Sequence, residues 1–215
     1  MKTNIRLQLL VALLAASAQC AFGASVIFDS FSEGSFHLQN GGDNTHQTGI
    51  SSPLLLDTRS VYSGGNGTWS VILAPGSGVL DYNVDEVLST TRFGLTLDYT
   101  RGTYGQEWSL LGYDALVFDF TNVVGEGLLA IFVNDQNVDE MVRVPVNSAG
   151  QLVYPLEDLA ASSLDSISGM SISFTPQTDT FSMSLNEITV VPEPSVSVIL
   201  FLFAAVVAAK RGREN

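Results

Sequence analysis

The chain has 215 residues, a hydrophobic content of 46% and a formal net charge of −13. This length and hydrophobic content suit one domain with a real core, flanked by short terminal segments. The charge argues against nucleic acid as a partner, because a phosphate backbone would be repelled.

The N-terminus has the layout of a secretory signal peptide. Lys2 and Arg6 supply positive charge, Leu7 to Ala16 form an apolar run, and Ala21-Phe22-Gly23 follows as a small-residue cleavage sequence. We therefore predict a signal peptide over 1–24, handled by the general secretion machinery and removed by signal peptidase.

The one cysteine of the chain, Cys20, falls inside this segment. Lipidation of Cys20 is an alternative, but Gln19 stands where a lipoprotein signal has a small residue. If the signal peptide is removed, the mature protein has no cysteine, so no disulfide stabilises it.

The body between the two terminal segments, 25–191, is strongly acidic. It contains 20 Asp and Glu residues and four Arg but no Lys, which gives a formal charge of −16. Anionic lipid is therefore also a poor partner. The acidic residues are scattered singly, which is typical of a solvated surface, although cation binding stays open.

Apolar and polar residues alternate through the body with the period of half-buried strands. Gly, Asn, Asp and Pro clusters separate the segments. The predicted strands are Ser25–Phe31, Leu55–Tyr62, Thr68–Leu73, Val79–Val84, Arg92–Tyr99, Asp114–Phe120, Leu128–Asn134, Glu140–Val146, Ser168–Thr175 and Thr180–Val190. The glycines at 125 and 127 predict that 114–120 and 128–134 form a hairpin. A short helix or turn is expected around Leu156–Leu164.

About ten short strands with this spacing predict an all-β domain over 25–191, a two-sheet antiparallel β-sandwich of jelly-roll-like form. The strands at 114–120 and 128–134, the segment Leu152–Leu159 and the final strands resemble the galactose-binding-like sandwich of carbohydrate-binding modules. That resemblance rests on pattern rather than a strict motif, and implies a sugar-binding function.

Enzymatic motifs are absent from the sequence. There is no thiol nucleophile in the mature chain and no G-x-S-x-G elbow. His37 and His46 lack the spacing of a zinc pair, and we expect them in surface loops. The protein is therefore predicted not to be an enzyme, although a hydrolase needs only two carboxylates across a cleft.

The segment Tyr99 to Trp108 is the candidate ligand-binding region. Sugar recognition uses aromatic rings together with carboxylates and other hydrogen-bonding groups. The candidate residues are Tyr99, Arg101, Tyr104, Glu107 and Trp108. The alternative is packing at the edge of the core, with Trp108 closing one end of the sandwich. Two other candidate aromatics are Tyr82 and Trp69, and the strand pattern around Trp69 favours the core.

No cofactor is expected, but a structural calcium ion stays open. Calcium takes oxygen ligands, commonly from loops. Asp29, Glu33 and Asp43 near the first strand could converge with Asp179 and Glu187 near the last. The segment Asn134–Glu140 is also rich in oxygen ligands, although a polar hairpin turn explains it better.

The C-terminus combines a turn motif, an apolar run and a basic end. Pro192-Glu193-Pro194 precedes a predicted transmembrane helix over 195–209, and a basic tail over 210–215 carries Lys210, Arg211 and Arg213. Fourteen apolar or small residues span about 21 Å, short of the ~30 Å bilayer core, so the basic side chains would have to snorkel. These charges place the tail in the cytoplasm and the acidic body outside.

These three parts, in this order, resemble the PEP-CTERM sorting signal of bacterial exported proteins. The resemblance covers about 191–215. It implies a Gram-negative-type envelope, an exosortase-type membrane peptidase as partner, and a final location at the cell surface or in the extracellular matrix. We therefore expect a non-enzymatic surface or matrix protein that contacts exopolysaccharide. A passive structural coat protein, or a β-sandwich hydrolase acting on glycosides, is the alternative.

Overall fold

The computed structural model describes residues 25–39, 44–48, 58–63, 67–87, 94–100, 107–133, 143–159 and 164–193. Val26 to Val190 form one compact unit. The predicted signal peptide and the predicted C-terminal helix lie outside the described residues. Within the described ranges, no helix is long and apolar enough to cross a membrane.

Thirteen strands make up the described part of the fold. In chain order they are β1 Val26–Asp29, β2 Phe36–Gln39, β3 Asn44–Thr48, β4 Thr58–Ser63, β5 Gly67–Leu73, β6 Leu80–Val87, β7 Leu95–Thr100, β8 Tyr113–Val124, β9 Gly127–Val133, β10 Arg143–Val146, β11 Gly150–Pro155, β12 Gly169–Pro176 and β13 Phe181–Pro192.

The strands form two antiparallel sheets. Sheet A has the order β11-β8-β13-β6-β5-β2, with β1 also paired to β13, and sheet B has the order β10-β9-β12-β7-β4-β3. The sheets face each other across one hydrophobic core. The predicted all-β sandwich is therefore confirmed.

Strict alternation explains why these segments form strands of a sandwich. In β7, Leu95, Leu97 and Tyr99 are buried while the residues between them are half-buried. The same alternation runs through β12. Because successive side chains of a strand point to opposite faces, one face of each sheet fills the core and the other meets solvent. Across the core, Phe174 of sheet B packs edge-to-face on Phe118 and Phe120 of sheet A.

The two halves of strand β13 pair with different strands, β6 and β1. Its first half, Phe181 to Leu185, pairs with β6. Its second half pairs with β1, where Val26 lies opposite Val190. The first and last strands are therefore neighbours in sheet A.

The predicted hairpin between 114–120 and 128–134 is wrong. Strand β8 belongs to sheet A and β9 to sheet B, so the turn at Gly125-Glu126 carries the chain across the sandwich. The connection from β12 to β13 crosses beside it. The Glu126 amide donates to Thr178 Oγ1 at 3.0 Å, and the Gln177 amide donates to the Glu126 carbonyl at 2.7 Å. Each crossing thus satisfies backbone groups of the other.

Three strands were not predicted, namely β2, β3 and β11. The first two include His37 and His46, which were expected in surface loops but lie in strands. Where a short helix or turn was expected, around Leu156–Leu164, the structure has a 3₁₀ turn over Leu156–Asp158, and 160–163 lie outside the described residues. Four-residue and five-residue strands such as β2 and β3 are too short to show a clear period against Gly-rich and Asn-rich flanks.

Candidate functional site

The outer face of sheet B is built from alternate residues that its ladders hold in register. Asp98 on β7 lies opposite Ser171 on β12, and Ser171 lies opposite Phe132 on β9. These three side chains form one row across the sheet. Each is half-buried, in contrast to the buried neighbours that precede and follow it in its strand.

On β7 and β12, the neighbouring rows on either side carry short side chains. Thr100 lies opposite Gly169 on one side, and Thr96 lies opposite Ser173 on the other. The hydroxyls of Thr96 and Ser173 are hydrogen-bonded at 3.3 Å. Small side chains leave the middle of this face low, with hydroxyl groups directed away from the core.

A groove of about 290 Å³ opens on this face. Its lining residues are Asp98, Tyr99, Thr100, Phe132, Ser168, Gly169, Met170 and Ser171. Gly169 has no side chain to occupy the space, and a Cβ added there would meet only Thr100 Cγ2 and Tyr99 O, both at 3.8 Å. The groove is at the small end of the volume range of ligand pockets.

The groove combines three kinds of chemistry. Asp98 supplies a carboxylate, Phe132 supplies an aromatic ring, and serine and threonine supply hydroxyls. Carboxylates and hydroxyls can hydrogen-bond sugar hydroxyls, while the ring can stack on the apolar face of a pyranose. Glycoside hydrolysis uses two carboxylates, and the described lining provides one.

A buried ion pair lies beneath this face. Arg59 on β4 is 1% exposed, and its Nη1 contacts Asp29 Oδ2 at 2.5 Å. Its Nη2 donates to the Glu33 carbonyl at 2.8 Å, and its guanidinium carbon lies 5.1 Å from the centre of the Phe31 ring. Because Asp29 is the last residue of β1 in sheet A and Arg59 is on β4 in sheet B, the pair ties the two sheets together.

Tyr99 completes the same cluster. Its hydroxyl donates to Asp29 Oδ2 at 2.8 Å, while the Phe31 amide donates to Oδ1 at 2.8 Å. The Tyr99 ring packs edge-to-face on Phe28, with ring centres 4.8 Å apart. Burial raises the pKa of Tyr99 well above its ordinary value, and the Asp29 carboxylate raises it further.

These positions correct the predicted ligand-binding segment. Tyr99 is fully buried and Trp108 is 5% exposed, so neither ring is available to stack on a ligand from solvent. Trp108 instead forms a bridge to Ile167 and packs near Phe28, as the alternative of core-edge packing predicted. Glu107 is exposed beside it.

The remaining predicted residues lie either outside the described residues or in the core. Arg101 and Tyr104 lie outside the described residues. They follow Thr100, which lines the groove, along the chain. Trp69 is in the core, as its strand pattern predicted, and so is Tyr82.

The exposed aromatics of sheet B were missed by the sequence reasoning. Tyr62 on β4 is 39% exposed, and Phe132 on β9 is half-buried. The available signal was alternation: Tyr62 stands between the buried residues Val61 and Ser63, which places its side chain on the opposite face.

Among the described residues, the candidate calcium ligands Asp29, Glu33, Asp179 and Glu187 do not form a group that could hold a metal ion. Both carboxylate oxygens of Asp29 already accept hydrogen bonds, and the guanidinium of Arg59 supplies a positive charge there. Asp179 precedes β13 whereas Glu187 lies within it, and eight residues of extended chain separate them by about 26 Å. Asp43 and Asn134–Glu140 lie outside the described residues. No group of three or more His, Cys, Asp or Glu among the described residues could hold a metal ion.

The predicted sorting motif starts at the last residue of strand β13. Pro192 is the last residue of β13, and Glu193 follows it in an exposed position. Pro194, Lys210, Arg211 and Arg213 lie outside the described residues. The predicted motif therefore overlaps the last strand by one residue.

No protein-family model matches the sequence, and no curated protein matches it. Three solved structures are similar in backbone. The solution structure of CtCBM11 has a TM-score of 0.45 and 11% identity, over 80% of this chain and 96% of that chain. A family 29 carbohydrate-binding module has a TM-score of 0.36 and 13% identity, over 69% and 89%. PfGH50B has a TM-score of 0.40 and 12% identity, over 74% of this chain and 24% of its own. TM-scores of this size carry no functional argument.

Proposed function

We propose that this protein is an exported, non-enzymatic bacterial surface or matrix protein that binds extracellular polysaccharide in the groove on the outer face of sheet B. The observation that carries the binding proposal is the groove itself. A carboxylate, an aromatic ring and several hydroxyls surround an open volume of about 290 Å³. This combination suits a sugar better than an apolar ligand.

The terminal segments support the cellular part of the proposal. The signal-peptide layout of 1–24 supports export, and the segment 191–215 supports PEP-CTERM-like sorting by an exosortase-type peptidase. In this proposal the precursor is held in the inner membrane by its C-terminal helix. The processed protein then reaches the cell surface or extracellular matrix of a Gram-negative-type bacterium.

The proposed activity is binding rather than cleavage. A retaining or inverting glycosidase places two carboxyl groups across its substrate, and the described groove lining contributes Asp98 alone. A carboxylate among hydroxyls without a second carboxylate can hold sugar hydroxyls but lacks the acid and base pair of hydrolysis.

The test is calorimetric titration of the purified protein with the exopolysaccharide of the cell that makes it, with and without calcium. We expect saturable binding in both conditions. Phe132→Ala should weaken it about tenfold, because loss of about 60 Å² of stacked ring surface costs about 1.5 kcal/mol at ~25 cal/mol per Å². Gly169→Leu should weaken it further by filling the groove.

The matched control is Ile72→Ala, which removes a half-buried apolar side chain from β5 in sheet A. Its affinity should equal that of the wild type. Absence of saturable binding in both conditions, or equal losses in Ile72→Ala and Phe132→Ala, would contradict a sugar site in the groove.

A further inference from the structure

A second exposed aromatic ring lies on the same sheet face as the groove. Tyr62 on β4 is directly opposite Thr96 on β7, and Thr96 is opposite Ser173 on β12. Tyr62, the fifth of the six residues of β4, is 39% exposed. The packing of the core does not require this ring, since Val61 beside it already faces inward.

The register fixes how far Tyr62 is from the groove. Phe132 lies on β9, and β12 and β7 separate that strand from β4. Three strand spacings of ~4.8 Å and one two-residue step of ~7 Å give a separation of about 16 Å between the two positions. This distance exceeds one pyranose ring and matches a short oligosaccharide.

The surface between the two rings is low and polar. Its side chains are Asp98, Ser171, Thr96 and Ser173, each half-buried. Two rings with short hydroxyl-bearing side chains between them form a shallow channel across the strands. Tyr62 is 39% exposed and Phe132 is half-buried, so part of each ring is open to solvent.

We propose that the binding surface extends from the groove across β7 to Tyr62, so that the protein binds an internal stretch of a polysaccharide chain rather than a single sugar or chain end. This inference rests on the proposed function of the groove. Phe132 and Tyr62 then act as two separate stacking positions, and affinity depends on the length of the glycan.

The experiment uses fragments of the same exopolysaccharide, prepared by partial acid hydrolysis and sized from monosaccharide to octasaccharide. Affinity for the wild type should rise with length until a fragment reaches both rings, and then level off. Tyr62→Ala should leave affinity for the shortest binding fragments unchanged and weaken the long fragments about tenfold. Tyr62→Phe should restore it, because the ring is kept. Phe132→Ala should weaken fragments of every length.

The control is Val153→Ala, which removes a 54%-exposed side chain from β11 of sheet A and should change nothing. If wild-type affinity does not depend on length, or Tyr62→Ala binds long fragments like the wild type, the extended site is refuted while the groove stands. If the wild type binds neither fragments nor the intact polymer, the proposed function fails and the extended site fails with it.

Discussion

Replacing Asp29 by alanine should be among the most damaging single changes in the sandwich. The substitution removes the carboxylate that accepts hydrogen bonds from Arg59, Tyr99 and the Phe31 amide. Arg59, which is 1% exposed, then loses this ion pair. Because a buried charge that loses its partner keeps its full desolvation cost, the change is much worse than loss of a surface pair.

The expected loss is about 3–5 kcal/mol in the free energy of unfolding. A domain of this size has about 5–15 kcal/mol in total, so the variant loses a large share of its stability. At about 2–4 °C per kcal/mol, a loss of ~4 kcal/mol lowers the melting temperature by about 8–16 °C. Tyr99→Phe removes one hydrogen bond to a charged group and should cost less, about 1.5–3 kcal/mol.

The assay is urea unfolding followed by the fluorescence of Trp69 and Trp108, both of which are buried. Asp85→Asn is the control, since Asp85 is exposed on β6 and its change should stay within about 0.5 kcal/mol. The double variant Asp29→Leu with Arg59→Met should be more stable than Asp29→Ala, because no charge stays buried.

The reasoning is refuted by either of two results. One is an Asp29→Ala variant that loses less than about 1 kcal/mol, in the range of the exposed control. The other is a double variant whose loss equals the sum of the losses of Asp29→Leu and Arg59→Met measured singly, since additivity would mean that the two side chains do not interact.

Four other predictions follow from the fold and the termini. Burial raises the pKa of Tyr82 and Tyr99, so folding favours their neutral forms. The stability that they confer is therefore present below pH ~10 and is lost as the pH rises above it. Absorbance at 295 nm should show both side chains ionising only as the protein unfolds. Gly94→Ala should cost about 2 kcal/mol or more in urea unfolding, because the added Cβ would overlap a carbonyl of β12, whereas Gly169→Ala should be nearly neutral. Calcium chelation should leave the melting temperature unchanged, and a drop of many degrees would establish a structural ion. Deletion of 192–215 should leave export intact and abolish envelope retention or processing, so unchanged size and location on immunoblots of cell fractions would contradict the sorting proposal.

Much of the local structure could be predicted because strand formation leaves a short-range pattern. Alternation with a period of two marks β7 and β12 in the sequence, and Gly and Pro clusters mark most of their boundaries. The predictions failed where strands were shorter than the pattern needs, as in β2. They also failed at Gly125, where a turn that resembles a hairpin crosses between sheets.

The candidate site could be predicted only in its kind of chemistry, not in its residues. An aromatic ring beside a carboxylate was expected, and the groove has one, but it uses Phe132 and Asp98 rather than Tyr99 and Trp108. Composition shows that aromatic residues are present. Which of them faces solvent depends on the face of the sheet that the core covers.

By itself, the sequence determined the all-β class and the positions of ten strands, because each depends on neighbours within a few residues, and it predicts the two terminal segments. Only the tertiary structure decided which strands pair, which sheet each joins and where Asp29 meets Arg59, 30 residues later in the chain. These outcomes depend on contacts between distant segments, and the energy of such a contact depends on every element that packs around it.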